Sequence, residues 1–257
     1  YATGIICCTA IVAVGVMLLF GPIPQDPAYH AFADTRTIAS VDNFWNVLSN
    51  FPFLLAGFYG SSRVSRLAVH ETRPAYVALC VGIVLVSFGS AFYHLIPSTP
   101  SLIWDRLPMT IAFMALFSLL LDEREVLGRT RRTLWPLLTI GLLSAAYWYW
   151  TESRGAGDLR PYVLVQFLPI LLMPAVLLLF RGRYLNTTLL VLSLVFYAVA
   201  KALEEFDLQV FQAIGVLSGH TMKHLAASLA VLCIICAVPT SLSANSSSEP
   251  NLPRGSA

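Results

Sequence analysis

One stretch of the sequence indicates both the fold and a candidate site: Ser90-Ala-Phe-Tyr-His-Leu-Ile-Pro-Ser-Thr-Pro-Ser-Leu-Ile-Trp-Asp105. An apolar run ends near His94, two prolines follow, and a second apolar run begins at Asp105. A helix needs about 20 apolar residues to cross the hydrocarbon core of a bilayer, and both runs approach that length. The stretch therefore predicts a turn between two membrane spans, with His94 and Asp105 on the same side of the membrane.

The composition of the whole chain is typical of a membrane protein. Of 257 residues, 57% are hydrophobic and only 12% are charged, whereas soluble domains average about 25% charged residues. The apolar runs lack the alternation of β-strands, so an all-α polytopic membrane helix bundle is predicted. Eight spans are predicted, at residues 4–20, 44–61, 74–95, 105–121, 133–150, 161–180, 186–203 and 213–238. The first could be a signal anchor.

Charge and cysteine usage exclude several classes of function. The net charge is only +2, and no basic run is interleaved with aromatic residues, so no nucleic-acid partner is predicted. All five cysteines fall in apolar runs, where cysteine behaves as a small hydrophobe. No disulfide framework is therefore expected, and the oligomeric state is left open.

The distribution of arginine and lysine predicts the orientation in the membrane. Cytoplasmic loops carry an excess of these residues. One alternate set of loops holds Arg63, Arg66, Arg73, Arg124, Arg129, Arg131, Arg132, Arg181, Arg183 and Arg254, and the other holds Arg36, Arg106, Arg154, Arg160 and Lys201. The first set is therefore predicted to be cytoplasmic, which places the stretch from His94 to Asp105 toward the outer leaflet.

A second motif near the end of the chain is predicted to meet the first. His220-Thr-Met-Lys-His224 begins early in the last span, again on the predicted outer side. Residues four apart lie about 40° apart around a helix, so His220 and His224 share a face, as do Ser90 and His94. Three imidazoles with an open fourth position are typical of catalytic zinc. Ionisable groups in membrane spans are mostly functional because they are costly to place there.

Other interpretations of these histidines stay open at this point. They could tie helices together without binding a metal, or serve a haem electron carrier, although two ligands on one helix face cannot both be axial to one haem. Three amides, Asn43, Asn46 and Asn50, form a stripe on one helix face that should look inward. This stripe could line a cavity or hydrogen-bond between helices. Lys223 is expected to extend its ammonium to the rim of the bundle or to pair with another group there.

Taken together, Ser90-x-x-x-His94, Asp105-Arg-Leu-Pro-Met and His220-x-x-x-His224 resemble the motifs of the alkaline ceramidases and their bacterial relatives. These enzymes belong to a superfamily of seven-span membrane hydrolases named CREST. The resemblance implies a seven-helix catalytic core over residues 44–238. An additional N-terminal span and outer loop would occupy residues 1–43, and the polar composition of residues 239–257 predicts a disordered tail.

The resemblance also implies an activity and a set of site residues. His94, His220 and His224 would hold Zn²⁺, with Asp105 and Ser90 as catalytic residues beside the metal-bound water. That water would attack the N-acyl bond of a membrane lipid amide such as ceramide, giving a sphingoid base and a fatty acid. The alternative is a seven-span zinc-containing receptor of the adiponectin-receptor type with little turnover.

One feature of the eukaryotic enzymes is not carried over to this chain. Those enzymes have a calcium site before the first core span, with a glutamate next to the Phe-Trp-Asn step. Asn43 stands at that position here, and Asp26, Asp34 and Asp42 have different spacings. No calcium site is therefore predicted.

Overall fold

The computed structural model describes residues 1–128 and 132–241, and within these ranges the regular secondary structure is helical, with no strand. The helices in this part of the chain are α1 (Ala2–Leu19), α2 (Phe44–Leu48), α3 (Phe51–Ser62), α4 (Arg73–Leu95), α5 (Leu102–Glu123), α6 (Leu134–Glu152), α7 (Arg160–Leu179), α8 (Thr187–Glu205), α9 (Asp207–Ile214) and α10 (Gly219–Ala237). The predicted all-α bundle is confirmed. The predicted disordered tail lies outside the described residues from position 242 onward.

Six helices of the described chain, namely α1, α4, α5, α7, α8 and α10, are long and apolar enough to cross a membrane. The protein is therefore an integral membrane protein. The other two predicted spans are also helical, at α6 and at α2 with α3. The predicted continuous span over residues 44–61 is broken in two. Asn50 turns its side chain back onto the carbonyls of Asn46 and Val47, and Pro52 follows in the first turn of α3 without an N–H.

The pairing of α4 with α5 places the first turn of α5 beside the last turns of α4. These two helices pack along their length, and α4 also packs on α3. Gly89 of α4 lies directly against the first turn of α5, where a Cβ atom would overlap the carbonyl oxygen of Trp104. Only glycine permits so close an approach. The sequence thus brings the start of α5 against the last turns of α4, one residue before Ser90.

The packing core occupies the end of the bundle away from the histidines. Buried apolar side chains there come from the first half of α4, the last half of α5 and the last turns of α10. At the same end, Glu123 is fully buried, and its Oε1 accepts hydrogen bonds from the backbone N–H groups of residues 183–185 at 2.6, 2.9 and 3.2 Å. Its Oε2 forms an ion pair with buried Arg124 at 3.1 Å. This carboxylate fixes the loop between α7 and α8.

Candidate metal centre

Three histidines from two helices converge at the opposite end of the bundle. His94 lies in the last turn of α4, His220 in the first turn of α10, and His224 one turn later. All three side chains are buried, and one ring nitrogen from each lies within 4.8 Å of the others. The ring centroids are 4.8 to 5.0 Å apart. The triad is therefore placed to bind a metal ion.

The geometry of the triad fits a small tetrahedral cation. Nε2 of His94 and Nε2 of His220 are 3.4 Å apart. Two nitrogens bonded to one tetrahedral zinc ion at about 2.0–2.1 Å would lie about 3.3–3.4 Å apart. The donor set also fits, because neutral imidazoles suit zinc and related transition metals. Within the described chain, Nδ1 of His94 is buried and has no hydrogen-bond partner.

A serine that the sequence did not single out orients His224. Oγ of Ser49 lies 2.7 Å from Nδ1 of His224 and 3.1 Å from the carbonyl oxygen of Asn46. A serine hydroxyl has one proton, and the carbonyl can only accept it. Ser49 therefore donates to Asn46 and accepts from Nδ1–H of His224. This tautomer leaves the Nε2 lone pair of His224 free for a metal.

The first turn of α10 is held by two further contacts. Gly219 packs against α8, where a Cβ atom would overlap the carbonyl oxygen of Leu203. The backbone N–H of His220 donates to Oδ1 of Asp207 at 2.7 Å. The carboxylate thus satisfies one of the free N–H groups at the start of the helix. The two contacts fix the position of His220 relative to α8 and to the start of α9.

The loop between α1 and α2 covers the triad. The ring of Phe32 is 92% buried, and its centroid lies 4.8 Å from that of His94 and 4.6 Å from that of His220. The next residue, Ala33, donates its N–H to Oδ2 of Asp207 at 2.9 Å. Asp207 therefore connects this loop to α10, and Phe32 closes one side of the site.

A histidine in the same loop is engaged through both ring nitrogens. Nδ1 of His30 lies 2.8 Å from the hydroxyl of Tyr93, and Nε2 lies 3.0 Å from Oγ1 of Thr99. Burial and the nearby positive charge of Arg106 lower the pKa of His30. These contacts tie the loop to the α4–α5 turn, and they keep His30 apart from the triad.

A largely apolar cavity of about 430 Å³ adjoins the triad. Ser90, Asp105 and His224 lie in its wall, together with apolar side chains of α4, α5, α7, α8 and α10. Ser90 and Asp105 are 4% and 9% exposed. The structure therefore brings the predicted catalytic pair to the same cavity as the predicted metal ligand His224.

Comparison with known protein families shows to which family the chain belongs. The family model described as Ceramidase matches residues 32–251, which is most of the chain. The chain belongs to the ceramidase family. Family membership implies a hydrolase that acts on a lipid amide. Neither a curated protein nor a solved structure matches the chain.

In this ceramidase-family protein, the stripe of Asn43, Asn46 and Asn50 forms hydrogen bonds and does not line the cavity. Nδ2 of Asn43 donates to the carbonyl of His94 at 2.9 Å, and Oδ1 of Asn46 accepts from Thr221 at 2.8 Å. None of the three asparagines lies in the cavity wall. Of the two alternatives that the sequence left open, the structure shows interhelical hydrogen bonding for Asn43 and Asn46.

The sequence alone did not identify the residues that support the triad in this ceramidase-family protein. These are Ser49, Asp207 and Phe32. Ser49 lies next to the stripe residue Asn50, which is the one local signal for it. Lys223 pairs with Glu204 at 2.5 Å, the second of the two arrangements expected for it. The others meet the triad through long-range contacts that no local pattern predicts.

Proposed function

We propose that the chain is a zinc-dependent lipid amide hydrolase that cleaves the N-acyl bond of ceramide. The observation that carries the proposal is the convergence of His94, His220 and His224, with His224 in the wall of a cavity that Asp105 and Ser90 also line. If the histidines only joined helices by hydrogen bonds, the site would need neither the carboxylate nor imidazoles at the spacing of metal ligands. Family membership supports the same reaction.

In this proposal the three histidines hold Zn²⁺ through one ring nitrogen each. Bound zinc lowers the pKa of a coordinated water from about 15.7 to about 7 and polarises a carbonyl, so it makes water nucleophilic at neutral pH. The chain keeps the imidazoles ready for this role by burying them and, at His224, by fixing the tautomer through Ser49.

Asp105 moves the proton during hydrolysis. Its carboxylate accepts a proton from the attacking water while the water oxygen bonds to the carbonyl carbon. It then gives this proton to the amide nitrogen as the carbon–nitrogen bond breaks, which releases the sphingoid base and the fatty acid. Ser90 stands one turn before His94, where its hydroxyl orients the water or donates to the carbonyl oxygen.

The shape of the cavity supports a lipid substrate. Its wall is mostly apolar and runs from the triad into the bundle between α5, α7 and α10. An acyl chain buried there exchanges water contact for apolar contact, which is worth about 0.8 kcal/mol for each methylene. We place the site toward the outer leaflet, because the arginine-rich loops lie at the other end of the bundle.

Metal analysis combined with a lipid hydrolysis assay tests the proposal. Purified protein should contain about one zinc per chain and release fatty acid from ceramide. Asp105→Asn should keep the zinc and lose about 10²–10⁴-fold in kcat, toward the upper end because the leaving nitrogen needs a proton. Ser90→Ala should lose about 10²–10³-fold.

The matched control is Asp122→Asn, which removes a carboxylate from the far end of the same helix. It should keep both zinc and activity. Release of zinc from Asp105→Asn would make the carboxylate a ligand and refute its role in proton transfer. Zinc-loaded wild type that hydrolyses no lipid amide would instead favour the receptor alternative.

A further inference from the structure

Lys223 lies between the two histidines of α10 and faces the same space. Its Nζ is 2.5 Å from Oε1 of Glu204 on α8 and 3.5 Å from Nε2 of His220. The side chains of Lys223 and Glu204 are 19% and 17% exposed. Both lie in the cavity wall with Ser90, Asp105 and His224. A largely buried ammonium group therefore stands beside the candidate ligands.

A purely structural role does not explain this placement. A cation next to metal ligands is repelled by the metal, and a charge inside a membrane span is costly. The helices α8 and α10 are already joined closely, through Gly219 against Leu203 and through buried apolar side chains. Glu204 compensates the charge of Lys223 and holds the ammonium at this position.

We propose that Lys223 is a further catalytic residue, donating an N–H to the carbonyl oxygen of the scissile amide. This inference rests on the proposed function. An ammonium has three N–H donors, and Glu204 takes one of them. A histidine nitrogen that coordinates a metal has no lone pair left to accept, so the N–H directed toward His220 is available to a substrate.

The role follows from where charge develops during amide hydrolysis. When the water oxygen bonds to the carbonyl carbon, the carbonyl oxygen becomes negative. A fixed donor at that oxygen stabilises the transition state more than the neutral amide. Lys223 gives up no proton in this step, because the proton of water passes to Asp105 and then to the leaving nitrogen. It is unchanged at the end of the cycle.

Two lysine variants provide a matched test. Lys201 also contacts Glu204, but its side chain is 41% exposed and it reaches no histidine of the triad. Lys223→Gln should lower kcat by about 10²–10³-fold, the usual effect of removing one such donor, with KM and zinc content little changed. Lys201→Gln, at the same cavity but without a contact to the triad, should lower kcat far less than Lys223→Gln does.

Binding of dodecylphosphonate gives a readout that does not need turnover. Its charged, tetrahedral head imitates the negative oxygen of the transition state, and such analogues bind more tightly than substrates. Lys223→Gln should weaken its binding about 10²-fold, in line with the loss in kcat. Lys223→Arg, which keeps the cation, should bind it better than Lys223→Gln does, even if turnover is impaired.

The outcomes separate this inference from the proposed function. If the wild type hydrolyses ceramide but Lys223→Gln matches Lys201→Gln in kcat and in phosphonate binding, Lys223 has no catalytic role. Loss of zinc from Lys223→Gln would show a structural role and also overturn the inference. If the wild type hydrolyses no lipid amide but binds phosphonate through Lys223, the proposed function fails and the anion contact stands.

Discussion

The contact between Ser49 and His224 leads to a prediction about metal affinity. Ser49→Ala removes the acceptor of Nδ1–H, which leaves a buried donor unpaired and frees the ring to change tautomer or rotate. The ring would then no longer be held with its Nε2 toward the other two histidines. Because the Oγ–Nδ1 distance is only 2.7 Å, the contact should contribute fully to ring orientation.

The magnitude follows from the usual role of such partners. Loss of a hydrogen bond to a metal-binding histidine typically costs about 10- to 100-fold in metal affinity. This corresponds to about 1.4–2.7 kcal/mol, the range expected when a buried donor loses its partner. Zinc affinity of Ser49→Ala should therefore fall by this factor, measured by competition with a chromogenic chelator at fixed pH.

Ser87→Ala is the matched control for this measurement. Ser87 is also buried, and its hydroxyl donates to the backbone carbonyl of Asn50 at 3.0 Å, but it touches no histidine. Its zinc affinity should equal that of the wild type. If both variants bind zinc like the wild type, or both lose affinity equally, the argument that Ser49 sets the tautomer of His224 is wrong.

Alanine at His94, or at either of the other two ligands, should remove bound zinc, as measured by metal analysis, and full occupancy in all three variants would refute the metal site. Glu123→Gln removes the negative charge that compensates buried Arg124 and should lower the free energy of unfolding by about 3–5 kcal/mol without changing zinc affinity, as measured by denaturation in detergent. Hydrogen bonds from Arg160 lower the pKa of Asp158. The carboxylate therefore stabilises the fold fully above its unfolded pKa near 3.8, and this contribution disappears as the pH falls through the lower pKa of the folded state. Asp158→Asn should therefore reduce thermal stability at pH 7, and its difference from the wild type should shrink below about pH 4. A cysteine placed in the loop at residues 96–100 should react with an impermeant thiol reagent outside intact cells, and one near Arg131 should not; the reverse pattern would invert the predicted topology.

Much of the site was predictable because its residues belong to strongly periodic segments. The i, i+4 spacing of His220 and His224 and the shared sidedness of His94 and Asp105 follow from helix geometry and the membrane. The convergence of the three histidines was predicted from these properties, and the structure places their nitrogens within 4.8 Å.

The parts that sequence reasoning missed depend on contacts between distant segments. Phe32 lies in a loop with no helical period, yet it covers two histidines from α4 and α10. Asp207 accepts hydrogen bonds from Ala33 and His220. These two residues are distant from each other along the chain, and Ala33 is also distant from Asp207. The break in the first core span arises where side-chain hydrogen bonds of Asn50 compete with the helix, and apolar composition does not reveal this competition.

The separation between the packing core and the triad argues for a catalytic metal rather than a structural one. The main apolar core and the buried pair of Glu123 and Arg124 lie at one end of the bundle, and the triad lies at the other. His94 and His220 are positioned by close helix contacts at Gly89 and Gly219. A structural metal would instead supply much of the free energy that holds the helices together. The fixed positions of these ligands therefore support our proposal of a metal that serves hydrolysis at the cavity wall.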